Sequence, residues 1–485
     1  MEINDPTPAE RRLRRAFATG AEVDFRDESG DTAGRWGPER TVRARVLRTL
    51  LLDGPREPGE TAALKLRGAR ITGTLDLRDA TVENVVHLTH CRFDDAPLLD
   101  GAHLRYVSLR DSELPGLMAT RARTDGNLRM TRCRFDGPVR LDGARIGGVL
   151  LLDSAELTAG ETAGTTLRLN HLAVADDLYA PGLSVRGPVR LDGADVAGSV
   201  DLTGARLESA GPEAVLHAQS LAAAGDVLLR EARVTGRTDL RGARVAGRLD
   251  LSYADLSHPG RTALRASSAT IGELWLRAGP AVRGTVNLRR SQIDVLFLDS
   301  EKVTGEVLFN SLGYTSLTPH EPAERRLALL ERDGDGYVPH AYEQLTAAYR
   351  RIGDDHAARL VQLARQRRHR RTLPWYGRLW GFAQDVTVGY GFRPLRAAGW
   401  LLSLLAIGSV AYALHHPQPL KAGEAPPFSP VFYTLDLLLP VISFGQESAF
   451  APRGWYQALA YALVLTGWIL ATTVVAGVTR AVSRQ

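Results

Sequence analysis

An eleven-residue pattern recurs through the middle of this chain, and it constrains the fold more than any other feature. Each unit has two apolar residues two apart, a small residue three further on, and another apolar residue two beyond that. Leu64, Leu66, Ala69 and Ile71 form one unit; Leu75, Leu77, Ala80 and Val82 the next; Val86, Leu88, Cys91 and Phe93 a third. The same phase returns at Val139, Leu141, Ala144, Ile146, at Val200, Leu202, Ala205, Leu207, and more weakly at Val286, Leu288, Ser291, Ile293. Pairs two apart, separated by a three-residue step, suit short extended segments joined by tight corners and break a helical stripe at every unit. The spacing therefore predicts a β-solenoid over 62–300, in which each rung is completed by stacking on its neighbours. Gly73, Gly148, Gly187, Gly198, Gly236 and Gly247 follow the last apolar position by two, where a corner needs permissive torsions.

Ala80 before Val82, Cys91 before Phe93, Ala144 before Ile146 and Ala205 before Leu207 give this stretch its family likeness. It resembles the pentapeptide-repeat family, whose signature is a central Leu or Phe with a small residue two positions earlier. The resemblance implies a right-handed coil, here of about 20 to 22 residues per turn because the steps alternate five and six. Irregular insertions are expected near 97–127, 158–185 and 208–226. Some members of that family mimic DNA with an acidic surface. Residues 62–300 carry 30 basic and 29 acidic side chains, which argues against that role and against a nucleic-acid-binding groove.

Chemical sites in the solenoid are scarce. His87, His90, Cys91 and His103 form the compact group of metal-capable side chains, but Cys91 and Cys133 both fall at the small inward position and read as core hydrophobes. No metal is expected. The aspartates that follow apolar positions (Asp76, Asp142, Asp153, Asp192, Asp201, Asp250) read as a solvated face. The chain has no GxGxxG, P-loop, nucleophile elbow or HExxH. Similar chains are sometimes labelled membrane-associated oxidoreductases; the residues supply no dinucleotide or flavin site for that, so a non-enzymatic reading is preferred and the oxidoreductase is kept as a third alternative.

Two helical stretches, 7–19 and 39–52, lie within an N-terminal cap (1–61) that shields the first rung. After the repeats, 335–372 reads as a helical hairpin that ends in Arg365, Arg367, Arg368, Arg370 and Arg371. A juxtamembrane segment, 373–396, holds Trp375, Tyr376, Trp380 and Phe382. Aromatic residues beside a basic run suit a lipid headgroup interface, at about 1 kcal/mol per basic residue near anionic lipid.

Residues 397–414 and 457–478 carry no charge, and both meet the length a hydrocarbon core of about 30 Å requires. They are expected to be two transmembrane helices. Arg393, Arg396, Arg480 and Arg484 flank the outer ends of the pair, so both termini are expected in the cytoplasm. Between them, 428–446 is apolar except for Asp436, a residue costing about 2.5 to 3.5 kcal/mol at a membrane-helix centre. A re-entrant loop lining a cavity, or facing a second copy, explains it.

Helix, half-apolar loop and helix is a layout that resembles the potassium-channel family. Ile442, Ser443, Phe444, Gly445 and Gln446 align with that family's filter order of Val, Gly, Tyr, Gly, Asp, while Ser443, Gln446, Pro440 and Val441 depart from it. Thr387, Val388, Gly389, Tyr390 and Gly391 spell the filter motif but precede the first span, where nothing flanks them to hold a filter. The resulting expectation is a homo-oligomeric, ion-channel-like membrane protein with pore-loop residues Asp436, Pro440, Ser443, Phe444, Gly445 and Gln446. The alternative is a membrane-tethered scaffold or sensor that binds a protein partner on the solenoid.

Overall fold

In a computed structural model of the chain, the described residues are 6–26, 36–158, 166–209, 214–372, 374–375, 394–421, 426–439 and 443–482, with side chains described except at 394–398 and 471–482. They divide into two compact units, Met1–Gln344 and Leu345–Gln485.

The first unit is a parallel β-solenoid of about 11 turns. Its strands fall into two 18-stranded sheets, and every pairing in them is between parallel strands on successive coils. Leu64 stacks on Val86 and Leu66 on Leu88; Leu128 stacks on Leu150. The inward columns predicted from the repeat are buried throughout: Leu64, Ala69, Ile71, Ala144, Leu150 and Ala205 are all essentially inaccessible. A strand two residues long buries almost nothing alone, so these columns, shared between neighbouring coils, are the core.

The rungs run from Glu22–Asp24, paired with Lys65–Arg67, to Gly313–Thr318, paired with strand Gln292–Leu298. The expected insertion at 97–127 is absent. His103–Ser108, Glu113–Leu114 and Leu117–Met118 are ordinary rungs with Leu104, Val107, Leu114 and Leu117 buried. Coils here are one or two residues shorter than the commoner 22-residue step of Leu128 to Leu150, as when Val86 meets Val107 and His103 meets Arg123, which shifts the repeat out of phase in the sequence. Around 158–185 and 208–226 rungs also continue in register. The extra residues there, 159–165 and 210–213, lie outside the described residues.

Corners are built differently from the glycine expectation. Residues with left-handed torsions recur twice per coil, among them Gly68, Asp79, His90, Gly101, Asp111 and Arg121. Each follows the second apolar residue of a unit by two. Its N–H donates to the coil above, as from His90 to Arg110 O at 3.0 Å and from Arg121 to Asp142 O at 2.8 Å. That bond offsets the roughly 1–2 kcal/mol a non-glycine residue loses there. Gly73, Gly187 and Gly236 do have positive φ, but Gly148, Gly198 and Gly247 do not. These three lie against a carboxylate or amide of the coil below: a Cβ would sit 2.2–2.3 Å from Oδ1 of Asn127, Asp177 or Asp226. Those same oxygens accept the N–H of Val149, Ser199 and Arg248 at 2.7–2.9 Å.

The aspartate face is likewise less solvated than expected. Asp250 is buried and accepts Ser252 N–H at 2.9 Å, Asp192 accepts Gln219 N–H of the next coil at 3.0 Å, and Asp142 accepts from Asn170 Nδ2 at 2.9 Å. Backbone groups at a corner need partners, and these side chains supply them.

Helix α1 (Pro8–Thr19) starts with a capping box, in which Glu10 N donates to Thr7 Oγ1 and Thr7 N to Glu10 Oε2. Its buried face is Leu13 and Phe17. Glu10 itself is buried and accepts from both Arg43 N and Arg43 Nε, the latter at 2.8 Å, tying α1 to the entry of α2 (Ala44–Asp53). The expected α-helix at 39–52 starts later than predicted: Pro38–Arg40 form a single 3-10 turn. Thr41–Arg43 form a strand on Arg70–Thr72 that buries Val42. At the far end, α3 (Ala323–Leu330) supplies Arg326, which donates to Leu298 O and Pro319 O and pairs with Glu321.

Helix α4 (Pro339–Arg351) and α5 (Asp355–Thr372) meet at Gly353, whose φ of +79° lets the chain reverse between them. The second unit continues with α6 (Pro394–Leu414), α7 (Pro430–Leu438) and α8 (Trp455–Val482). The expected spans 397–414 and 457–478 fall within α6 and α8. Among the described residues, however, no helix is long and apolar enough to cross a membrane.

Candidate functional site: a short helix and loop between two apolar helices

Helix α7 is nine residues long and packs against both α6 and α8. Two glycines make room for it. A Cβ on Gly408 of α6 would lie 2.3 Å from Thr434 Cγ2, and one on Gly467 of α8 would lie 2.3 Å from the Leu438 carbonyl oxygen. Small residues at such positions let helix backbones approach closely where no larger side chain fits. Tyr412, Tyr433, Leu437, Leu438, Phe450, Ala460 and Leu463 form the core of the bundle. Tyr412 and Tyr433 meet edge to face at 4.9 Å, and Tyr412 Oη donates to Tyr456 O at 3.1 Å.

Asp436 points from α7 into the loop that follows it. Only 5 % of it is exposed, and its carboxylate accepts three backbone N–H groups: Phe444 at 2.5 Å, Gln446 at 2.7 Å and Glu447 at 3.2 Å. Charged acceptors make the stronger hydrogen bonds, at about 1.5–3 kcal/mol each, so three of them offset the burial of a carboxylate. The expected pore-loop acid is thus hosted by its own chain.

Gln446 closes the other side. Its Oε1 accepts Ser429 N–H at 3.3 Å and its Nε2 donates to Pro427 O at 3.1 Å, which ties the loop to the residues just before α7. Ser443, Phe444 and Gly445 are exposed, with Gly445 at φ +79° and its N–H on Ser443 Oγ at 3.2 Å. Phe444 lies 5.2 Å from Phe432. Asp436, Ser443, Phe444, Gly445 and Gln446 are therefore brought together. Pro440 lies outside the described residues, as do Val441, Ile442 and Thr387–Gly391.

The basic run occupies the end of α5. Its buried face is Ala357, Ala358, Val361 and Leu363, and Arg365, Arg367, Arg368, Arg370 and Arg371 all follow the last of these. Cations there complement the helix C-terminus. Trp375 beyond them is 75 % exposed.

In the solenoid, the metal-capable group does not converge. His103 Nε2 lies 2.7 Å from Asp125 Oδ1, His90 faces Asp111, and His87 packs on Tyr106. Among the described residues no three such side chains gather as a metal site would require. Cys91 and Cys133 are buried as core residues, and burial pushes both thiols up to about 12.

Sequence reasoning missed Gly408 and Gly467, although a glycine inside each uncharged helix was visible. It also missed the three N–H donors around Asp436, because a backbone group leaves no mark in a sequence. No family model, no curated protein and no solved structure matches this chain.

Proposed function

We propose that the chain is a non-enzymatic integral membrane protein. Its C-terminal unit is a two-span, pore-loop module working as a homo-oligomer, and it carries a right-handed, pentapeptide-repeat-like solenoid on the cytoplasmic side. The observation that carries this reading is the Asp436 carboxylate, which gathers three N–H groups of one loop and so ties the exposed turn at Ser443–Gly445 to α7. A loop pre-organised in this way, on a short helix held between two apolar helices, is what a selective constriction needs. Membrane insertion is supported by the outward side chains of α6 and α8. Leu402, Val410 and Leu465 are each at least 60 % exposed, and 397–414 and 457–478 contain no charge. The arginines ending α5, with Trp375, suit the headgroup layer.

Reconstitution into liposomes tests the reading. The purified oligomer passes ions and Asp436→Asn reduces the flux; silent liposomes holding a folded oligomer sink it. A second reading, a membrane-tethered scaffold, is favoured by the same carboxylate: three backbone N–H groups of the adjoining loop already satisfy it. Tethering predicts flotation with liposomes without flux.

A further inference from the structure

The outer surface of the solenoid is almost free of large apolar side chains. Among the described residues of that unit, only Tyr179 and Tyr253 are exposed large hydrophobics. One region departs from the polar pattern. Trp275 and Phe297 are register partners on successive rungs, both on the outward face, with rings 5.4 Å apart. Neither contributes to the inward columns, which are filled by Leu274 and Leu276, then Leu296 and Leu298. Tyr253, 53 % exposed, belongs to the same region, its N–H facing Arg277.

Arginines surround these rings. The guanidinium carbons of Arg248 and Arg277 each lie 4.1 Å from the Trp275 ring centroid, and Arg277 also lies 5.2 Å from that of Phe297. Acidic neighbours are already engaged. Glu273 Oε2 accepts both Arg248 Nε and Trp275 Nε1, and Asp250 accepts Ser252 N–H while facing Arg230 Nε. Arg277 Nε donates to Ser252 Oγ. In Arg248 and Arg277 a hydrogen bond from Nε holds the side chain in place, Arg230 Nε lies 3.8 Å from Asp250 Oδ2, and no Nη of the three donates a hydrogen bond among the described residues. The patch sets three guanidinium groups against two carboxylates, and those of Arg248 and Arg277 are already stacked on Trp275.

We propose that Arg230, Arg248 and Arg277, with Tyr253, Trp275 and Phe297, form a docking surface for an acidic segment of a partner protein. Guanidinium Nη pairs match carboxylates in a planar, two-point geometry. Half-exposed Trp and Tyr beside Arg are the residue types that dominate protein interfaces. The inference stands whether or not the C-terminal unit conducts ions.

The test uses the full chain in detergent micelles and the fluorescence anisotropy of a fluorescein-labelled polyglutamate peptide. Binding is expected to weaken with salt and to fall about tenfold in Arg248→Glu/Arg277→Glu, as for close charge pairs across an interface. Arg134→Glu/Arg140→Glu, the same double charge reversal at exposed sites on the other sheet, leaves binding unchanged. Equal affinity in the double variant and wild type overturns the proposal. So does a wild-type preference for a single-stranded oligonucleotide or phosphatidylserine vesicles that polyglutamate cannot displace. Should the double reversal fail to fold, Trp275→Ala decides: reduced affinity supports the surface, and unchanged affinity overturns it.

Discussion

Asp436 accepts the backbone N–H of Gln446 at 2.7 Å, while the Gln446 side chain reaches back to Ser429 N and Pro427 O on the other side of α7. One residue is thus held through its main chain by the helix and through its side chain by the segment that enters the helix. Replacing Asp436 with Ala leaves three N–H groups without their acceptor and is expected to cost the helical unit about 1–3 kcal/mol or more. Asp436→Asn keeps one acceptor oxygen and loses less. Thermal melts in detergent, with amide exchange at 444, 446 and 447, check the order Asp, then Asn, then Ala.

The glycines beside α7 give a graded expectation. Gly467→Ala drives a Cβ into the Leu438 carbonyl and backbone, which cannot move without displacing α7. Gly408→Ala meets the Thr434 methyl, on a buried side chain whose Oγ1 donates to Pro430 O at 2.8 Å, and so displaces a side chain rather than backbone. The first is expected to cost about 1–3 kcal/mol, as overpacking does, and the second less. Thr434→Ser, which removes that methyl, rescues Gly408→Ala and not Gly467→Ala. Melting of the three single variants and the two doubles decides it.

Acid acts on the N-terminal cap through Glu10. Burial opposes its charge, but hydrogen bonds from Arg43 and the Thr7 backbone win, and the carboxyl is held below its ordinary value of 4.5. A carboxylate lowered by folding contributes stability above its unfolded pKa and loses it as pH falls through the folded one. Glu10→Gln therefore destabilises the cap at pH 7 and flattens the decline below about pH 4.5. Protection of α1 amides against exchange, followed from pH 7 to 3, is the measurement.

The solenoid carries a second acid response, from histidines. Burial lowers His87, His90 and His217; Lys65 adds to the shift in His87 and Arg190 to that in His217. The unfolded chain then binds protons that the folded chain refuses. Stability is complete above the unfolded value, about 6.5, and declines as pH falls below it. His217→Gln, at the most buried of the three, removes part of that decline while leaving the melting temperature at pH 8 within a few degrees. A pH series of melts on both proteins checks it, and identical slopes between pH 7 and 5 refute the assignment.

How much was legible varied with the kind of interaction. The inward columns at Leu64–Phe93, Val139–Ile146 and Val200–Leu207 could be read directly, because a two-residue alternation with a three-residue step has few other uses. Where coils shorten near Val86–Val107, the phase slips and regular rungs such as Leu117–Met118 looked like an insertion. The corner at His90 and the one at Arg121 carried no glycine, so their left-handed torsions were invisible until the coil above supplied their acceptors. Asp436 was conspicuous as an isolated charge, but its partners are backbone groups 8 to 11 residues away that any side chains would provide.

By itself the amino-acid order determined that this chain stacks short rungs around apolar columns and contains two uncharged segments, 397–414 and 457–478, since periodicity and the absence of charge are local properties. Only the tertiary structure decided which oxygens close each corner, which glycines admit α7 and what receives the buried carboxylate. Those outcomes depend on which backbone groups from distant positions arrive within hydrogen-bonding distance, and that is set by the packing of whole coils and helices rather than by any one segment.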